Sequence, residues 1–179
     1  TNQTNNIIEI PIIEITDNTE IASIINDAPS TFELGNTIVT WDVTDISGNI
    51  STIEQTIQVI DTTSPSITTP VDIQIEALSL ENNIVDYGFA QASDQVEVLL
   101  ITNDAPEVFP LGETVVTWTA TDSSGNSASA TQTITVVDTT SPVIAQPEDV
   151  LSEATNQTNN IIEIPIIEIT DNTEIASII

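Results

Sequence analysis

The side chains that can do chemistry in this sequence are almost all carboxylates. It has 28 Asp and Glu residues among 179, and no Lys, Arg, His or Cys. The missing residue types exclude catalysis by a Ser-His-Asp or Cys-His set, Schiff bases on lysine, disulfides, and metal sites built from thiolate or imidazole. The remaining chemistry is that of carboxylate oxygens, whose preferred metal partners are hard divalent cations such as Ca²⁺.

The formal net charge of −28 also limits which macromolecules the chain can bind. No cationic side chain is available to neutralise phosphates, so nucleic acid and anionic membrane surfaces are excluded as electrostatic partners. The chain is not predicted to be a disordered polyanion, because 39% of its residues are apolar. It can bury a core, and folded elements must then position the acidic residues.

Internal repeats define how those elements are organised. Residues 155–179 repeat residues 1–25 letter for letter, a period of 154 residues. Inside this period the motifs NDAP, TDxSGN and DTTSP begin at 26, 44 and 61, and each recurs 77 residues later. We therefore predict a tandem array of 77-residue modules in two alternating variants. The predicted domains are 1–65 (module B, incomplete and lacking its first strand), 66–142 (module A, complete) and 143–179 (the start of the next module B).

The apolar residues of a module follow the two-residue period of β-strands. In 114–121 and 38–44, Trp118 and Trp41 alternate with threonines and are predicted to face a core. The predicted strands of module A are 71–77, 83–91, 96–102, a short 107–110, 113–121 and 127–137, with a tight SSGN hairpin before the last and no helix. This pattern is typical of tandem immunoglobulin-like antiparallel β-sandwich modules, an all-β fold class.

The order of the motifs resembles a known family. The run P-x-D-(I/V)-x-x-E-A, then NDAP-x-x-F-x-LG-x-T-x-V-T-W-x-x-TD-x-SGN, then V-x-D-T-T-S-P resembles the hyalin-repeat (HYR) modules of extracellular adhesion proteins. It is also similar to the bacterial Ig-like repeats of large adhesins and surface filaments. The resemblance covers the whole chain, and it implies an immunoglobulin-like fold, an extracellular or cell-surface location and a role in adhesion or stalks. Unlike animal hyalin repeats, this chain has no cysteine, so no disulfide clamps its modules.

Acidic residues of neighbouring modules are predicted to meet where one module follows another, because the loops of a sandwich gather at its two poles. The carboxylates expected there are Asp27, Asp61, Asp94 and Asp122 at the first boundary, Glu76, Asp104, Asp138 and Asp171 at the next, and Asp17 and Asp45 at the corresponding pole of the partial module. With no Lys or Arg to balance them, they either splay apart or hold a cation. Irregular, oxygen-only coordination favours structural Ca²⁺ over Mg²⁺.

The alternative interpretation keeps each carboxylate local. Asp122 would then only stabilise the TDSSGN turn, and Asp61 would only cap the linker. The sequons at Asn2 and Asn156 are weaker candidates, for glycosylation in an exposed loop.

The predicted function is a structural repeat of an extracellular fibre or adhesin stalk, rigidified by calcium bound between modules. Its partners would be neighbouring repeats of the same protein, supplied either by a continuous chain or by a separate subunit that donates a strand. The duplicated ends favour the continuous chain or an arbitrary register. Enzyme activity is not expected, because an array multiplies every residue equally and no aromatic-lined cleft is visible. The alternative is a ligand- or glycan-binding Ig-like module of a cell-surface protein, with surface glycans as partners.

Overall fold

The computed structural model describes residues 6–11 and 13–177. This part of the chain contains strands, bridges, turns and coil, and no helix. The all-β prediction is therefore confirmed for the described residues. It follows that this part of the chain holds no helix that could cross a membrane.

Eleven strands are described, and β-branched Ile, Val and Thr dominate them, as the preference of these residues for the pleated backbone predicts. They are β1 Ile21–Asn26, β2 Gly35–Asp45, β3 Ile50–Val59, β4 Ser66–Thr68, β5 Ile73–Glu76, β6 Gln91–Ser93, β7 Val98–Asn103, β8 Gly112–Asp122, β9 Ser127–Val137, β10 Val143–Ile144 and β11 Ile169–Thr170. The sheet orders are β1-β2-β3, β4-β6, β5-β9-β8-β7 and β10-β11.

The first of two compact units consists of the described residues of Thr1–Thr68, Ala90–Thr102 and Trp118–Ala130. In it, β2 pairs antiparallel with both β1 and β3. One core cluster is formed by Phe32, Val39, Trp41 and Val59, with the partly buried Ile8, Ile10 and Ile13 packed against it. The alternation of Val39 and Trp41 with outward residues of β2 is the two-residue period that predicted this strand.

The second compact unit consists of the described residues of Thr69–Phe89, Asn103–Thr117 and Thr131–Ile179. Phe109, Val116, Ile134 and Val136 are buried in it. The isolated bridge between Asn83 and Phe109 repeats, 77 residues later, the bridge between Asn6 and Phe32 in the first unit. The 77-residue repeat is thus reproduced in backbone pairing as well as in sequence.

Two features of the predicted strands are confirmed. Trp41 and Trp118 are both buried. The SGN turns take the positive φ required of a tight hairpin at glycine, with φ of 86° at Gly48 and 91° at Gly125. Glycine adopts this conformation without the steric penalty that a Cβ atom brings.

Three other features differ from the prediction. The short strand predicted at 107–110 is reduced to the isolated bridge at Phe109. Residues 84–90, predicted to lie in a strand at 83–91, are coil, and regular pairing begins only at β6. The β5 strand pairs parallel with β9, with Ile73 opposite Ile134, whereas an antiparallel sandwich was predicted. Parallel pairing requires a long connection between the two strands, and the residues from 77 to 126 provide one.

Candidate metal centre

Three of the predicted carboxylates lie together inside the first compact unit. Asp61 follows the end of β3, Asp94 follows β6, and Asp122 is the last residue of β8. One carboxylate oxygen from each of these residues lies within 4.8 Å of the corresponding oxygens of the other two. Residues from three distant parts of the sequence therefore converge on one point.

Asp122 is held there by the hairpin turn that follows it. Its Oδ1 accepts hydrogen bonds from the backbone N–H groups of Ser124 (2.9 Å) and Asn126 (2.8 Å), and its Oδ2 accepts one from the Asn126 side-chain amide (2.8 Å). The side chain is only 1% exposed. Burial opposes ionisation, but the hydrogen bonds from Asn126 and Ser124 outweigh it and lower the pKa of Asp122. The turn therefore holds a buried carboxylate in its charged form.

Asp61 has one carboxylate oxygen without a partner. Its Oδ1 accepts a hydrogen bond from Thr63 N (3.1 Å), which caps the linker turn locally. Its Oδ2 is buried and has no hydrogen-bond partner, and the residue is 8% exposed. The Asn126 amide also donates to the backbone oxygen of Asp61 (3.3 Å), so the turn of Asp122 fixes the position of Asp61 as well.

A hard cation fits this donor set. Asp94 contributes a third carboxylate, whose Oδ2 accepts a hydrogen bond from Val96 N (2.8 Å). An orphaned, buried carboxylate oxygen is costly, because it has lost its water and gained no donor. The sequence has no Lys, Arg or His side chain that could neutralise the group. Oxygen-only donors with several negative charges are the ligands that Ca²⁺ prefers.

Asp27, which was predicted to join this group, is not part of it. Its Oδ1 accepts a hydrogen bond from Thr40 N (2.7 Å), and its own N–H donates to Thr40 O (3.2 Å). Asp104 forms the same pair of hydrogen bonds with Thr117, at 2.6 and 3.3 Å. Both carboxylates thus extend a strand pairing beyond its last regular residue, and they are exposed.

Glu76 is tied to the linker that follows β9. Its Oε1 accepts hydrogen bonds from Thr139 N (2.8 Å), Thr140 N (3.0 Å) and Thr140 Oγ1 (2.8 Å), and its Oε2 accepts one from Thr139 Oγ1 (2.8 Å). These bonds, led by the one from Thr139 N, lower the pKa of Glu76 to about 2. Its carboxylate therefore fastens the end of β5 to the DTTSP segment.

Asp138 and Asp171 occupy positions 77 residues after Asp61 and Asp94, in the second compact unit. Asp138 accepts hydrogen bonds from Thr173 Oγ1 (2.5 Å) and the Asn172 amide (3.1 Å), and these lower its pKa. Asp171 Oδ1 accepts one from Thr173 N (3.0 Å). Among the described residues these carboxylates belong to no group of three. Both carboxylate oxygens of Asp138 thus accept hydrogen bonds from neutral donors, whereas Oδ2 of Asp61 accepts none.

The last predicted pair, Asp17 and Asp45, lines one groove of about 450 Å³ in the first unit. Asp45 makes the turn contacts of Asp122: its Oδ1 accepts from Ser47 N and Asn49 N, and its Oδ2 accepts from the Asn49 amide (2.7 Å). The hydrogen bond from the Asn49 side chain is the main cause that lowers the pKa of Asp45. Asp17 accepts hydrogen bonds from Thr19. Turn stabilisation is therefore sufficient to account for the position of Asp45. Asp122 makes the same turn contacts but also lies beside two other carboxylates.

Sequence reasoning missed the role of Asn126 and its counterpart Asn49. The sequence predicted a tight hairpin here but gave these amides no role, whereas both hold the turn aspartate through their side chains. The recurrence of Asn directly after Gly in both TDxSGN motifs was the available signal.

The predicted glycosylation sites remain predictions. Asn156 is exposed, and its amide donates to Asn159 O (3.0 Å) within a local turn. Asn2 lies outside the described residues.

Glu76→Gln is expected to reduce the acid sensitivity of the fold. The pKa of Glu76 is about 2 in the folded chain, against its ordinary value of 4.5. A depressed carboxyl pKa contributes stability above the unfolded pKa, and that stability is lost as pH falls from about 4.5 towards 2. The free energy of unfolding, measured with urea at several pH values, should therefore depend less steeply on pH in the variant. The difference in slope should correspond to about one proton in this window.

The control for this measurement is Glu81→Gln, at an exposed glutamate of the same unit. Glu81→Gln should leave the slope unchanged. Equal slopes for the wild type and Glu76→Gln would contradict the assigned role of the Glu76 carboxylate.

Comparison with known proteins places these residues in a family context. Residues 60–136, which include Asp61, Asp94 and Asp122, match the model of the HYR domain. The chain is 44% identical over 127 residues to hyalin of Lytechinus variegatus, covering 65% of this chain and 24% of that protein. It is 39% identical over 150 residues to hyalin of Strongylocentrotus purpuratus, covering 76% and 12%.

A third relative belongs to a differently named protein. The chain is 35% identical over 101 residues to the mouse sushi, von Willebrand factor type A, EGF and pentraxin domain-containing protein 1, covering 55% of this chain and 3% of that protein. The chain spans about a quarter or less of the length of these curated relatives. None of the three carries the name of an enzyme.

Proposed function

We propose that this chain is a structural repeat of an extracellular fibre or adhesion stalk stiffened by calcium. The proposal starts from residues 60–136, through which the chain belongs to the HYR domain family of extracellular proteins. The perfect 154-residue repetition supports a role that depends on length and regularity. A tandem array copies every residue equally, which suits a mechanical element better than a single special site.

The observation that carries the calcium proposal is the buried, unpartnered Oδ2 of Asp61 beside Asp94 and Asp122. Their repulsion is relieved only if the carboxylates protonate, separate or bind a cation. The lowered pKa of Asp122 argues against protonation. Separation is opposed by the hydrogen bonds that anchor one oxygen of each residue. A divalent cation would neutralise the group and supply the missing partner of Asp61.

Calcium at this site would restrain the linker. Asp61 opens the DTTSP segment, Asp94 follows β6 and Asp122 ends β8, all in the same unit. A cation shared by all three would hold the segment after β3 against the ends of β6 and β8, whereas mutual repulsion would let the segment move. In an array, the same restraint at each repeat would convert a hinged chain into a stiffer one.

Asp61→Asn is expected to abolish or weaken calcium binding by the 179-residue chain by at least about tenfold, because it removes one of three charges and the orphaned oxygen. Titration calorimetry with CaCl₂ measures this. The matched control is Asp27→Asn, since Asp27 lies outside the group and binds Thr40 N. Wild type and Asp27→Asn should bind alike. Absence of saturable binding in the wild type, or equal losses in both variants, would refute the calcium site.

The fibre role is tested separately, on longer arrays. Electron micrographs of a polypeptide with several 154-residue periods should show straighter particles in calcium than in EGTA. Equally flexible particles in both conditions would contradict the stiffening role while leaving calcium binding itself intact.

Ligand binding, the alternative function, has one observation in its favour. Phe89 is 90% exposed. Neighbouring Tyr87 instead packs edge-on against the buried Phe109, with ring centroids 5.9 Å apart. A single exposed ring is a weak platform for stacking a sugar, so the fibre role remains the proposal.

A further inference from the structure

The sequon that begins at Asn156 lies in an exposed turn. All residues from 151 to 160 are exposed. Asn156 Oδ1 accepts hydrogen bonds from Thr158 N (3.0 Å) and Asn159 N (2.5 Å), and its Nδ2 donates to Asn159 O (3.0 Å). The side-chain amide of Asn156 is therefore held at the surface, with the third residue of the sequon beside it.

This turn is a regular part of the module. In module A, the side chain of Asn83 makes three hydrogen bonds to the backbone of the preceding turn, two of them with Ser79. Asn160, 77 residues later, makes the same three bonds at 2.8, 3.2 and 3.0 Å, two of them with Asn156. Ser79 therefore marks the place that Asn156 takes in a complete module.

The same turn is accessible in module A. Ser79 is half-buried, and its neighbour Leu78 is 78% exposed. From the segment 79–81 the structure describes one hydrogen bond to a distant part of the unit, which Leu111 N donates to Leu80 O (2.7 Å). The longer side chain of an asparagine at this position would extend past the serine into solvent. The exposure of Asn156 is thus expected from the module turn itself.

We infer that Asn156 is an acceptor site for an N-linked oligosaccharide, supplied by a lipid-linked diphosphate donor. N-x-S/T is the acceptor pattern of this modification, and it requires an exposed loop of an extracellular protein. The bond from Nδ2 to C1 of the first sugar forms, the bond from C1 to the diphosphate oxygen breaks, and the diphosphate leaves with the electron pair. The amide nitrogen releases one proton. Its second hydrogen remains for the bond to Asn159 O.

The sequon of Asn49, Ile50 and Ser51 is built into a hairpin and is expected to be a poor acceptor in the folded chain. Asn49 N and Nδ2 both donate to the carboxylate of Asp45, and Asn49 O accepts from Asp45 N (3.0 Å). Ile50 and Ser51 are paired with β2. A transferase that draws a sequon into its own cleft would have to open this hairpin first.

Acceptor sites would recur once in each 154-residue period. Residues 2–4 repeat the N-Q-T of 156–158, whereas module A has Ser-Leu-Glu at 79–81 and no sequon there. A bulky, hydrated glycan would therefore mark the same turn in every second module. This modification goes beyond the proposed function and does not depend on the calcium site, which lies in the other compact unit.

Glycosylation of the purified, folded chain tests the inference. The 179-residue chain carrying Asn2→Gln is incubated with an oligosaccharyltransferase and its lipid-linked oligosaccharide. Asn2 is replaced because 1–25 and 155–179 have the same sequence and would give indistinguishable peptides. The intact mass should rise by one glycan, and peptide mapping should place it on Asn156.

Short synthetic peptides provide the unfolded reference. Peptides 153–160 and 46–53 carry the two sequons without the fold, so they measure how readily the enzyme accepts each sequence. The ratio of modification at Asn156 to that at Asn49 should be at least about tenfold higher in the folded chain than in the peptides, because only the hairpin must open.

Variants of the third sequon residue provide matched controls. Thr158→Ala should abolish modification of Asn156, and Thr158→Ser should retain it. The hydrogen bond described for Thr158 comes from its backbone N–H, so the turn should survive both changes. Ser51→Ala removes the corresponding hydroxyl of the other sequon and should leave modification of Asn156 unchanged. Circular dichroism checks that each variant is folded.

Each contrary outcome overturns the inference. An unmodified Asn156 in the folded chain, with its peptide accepted, would show that the turn is not an acceptor site. The same ratio in the folded chain and in the peptides would show that the fold does not select Asn156. Modification that persists in Thr158→Ala would place the glycan elsewhere. Calcium titration of Asn156→Gln should match the wild type, so failure of either proposal leaves the other testable.

Discussion

Asn83→Ala is expected to lower the free energy of unfolding of the second compact unit by about 3–4 kcal/mol, a large loss for a single polar residue. Asn83 is buried, and its Oδ1 accepts hydrogen bonds from Leu78 N (2.7 Å) and Ser79 N (3.1 Å). Its Nδ2 donates to Ser79 O (2.8 Å) and Phe109 O (2.9 Å). Alanine would leave these backbone groups without their side-chain partner in a place that water reaches poorly.

The neighbouring residue provides the control for this prediction. Asn82 is exposed, and only its backbone N–H is bonded, to Ser79 Oγ (2.8 Å), so Asn82→Ala should cost less than about 1 kcal/mol. Urea unfolding, followed by circular dichroism, measures both variants. Equal stabilities for the two variants would show that the hydrogen bonds of Asn83 do not hold this turn.

Calcium is expected to stabilise the wild-type chain and Asp45→Asn, but not Asp122→Asn. Asp45 and Asp122 make the same hydrogen bonds in equivalent turns, so both variants lose the same turn interactions. Only Asp122 also belongs to the group with Asp61 and Asp94. At a calcium concentration one hundred times the dissociation constant, selective binding to the folded chain adds about 2.7 kcal/mol of stability.

Thermal unfolding of the three proteins in calcium and in EGTA measures this difference. An equal rise in melting temperature for both variants on adding calcium would mean that the ion binds elsewhere. No rise in any of the three proteins would mean that Asp122 serves only its turn.

The convergence of Asp61, Asp94 and Asp122 was predictable because it depends on topology. Repeats fixed the module length, and strand alternation placed these loops at one pole. The hydrogen-bond partner of the Asp27 side chain was not predictable in the same way. It lies one residue after β1, where a backbone N–H of Thr40 competes for its carboxylate, and local hydrogen bonding prevails over convergence.

The predicted strand at 83–91 fails for a related reason. Its residues include Val85 and Tyr87, and the alternation favoured regular pairing. In the structure, Asn83 instead forms a single bridge to Phe109, and its side chain accepts hydrogen bonds from the turn at Leu78 and Ser79. A buried asparagine gives no signal in apolar periodicity, so sequence reasoning could not separate a bridge from a strand. The parallel direction of β5 was likewise invisible, because apolar alternation is the same in both directions.

The parallel pairing of β5 with β9 determines how this part of the chain would carry tension. Force applied through the preceding chain acts at the start of β5, and force through the following chain acts at the end of β9. Because the two strands run in the same direction, such a pull slides one along the other and loads all their hydrogen bonds at once. An antiparallel pair pulled at one end would open one bond at a time. The four hydrogen bonds of Glu76 to Thr139 and Thr140 lie along the same path and would share the load. The short strand β5, only four residues long, thus lies in a geometry that resists shear.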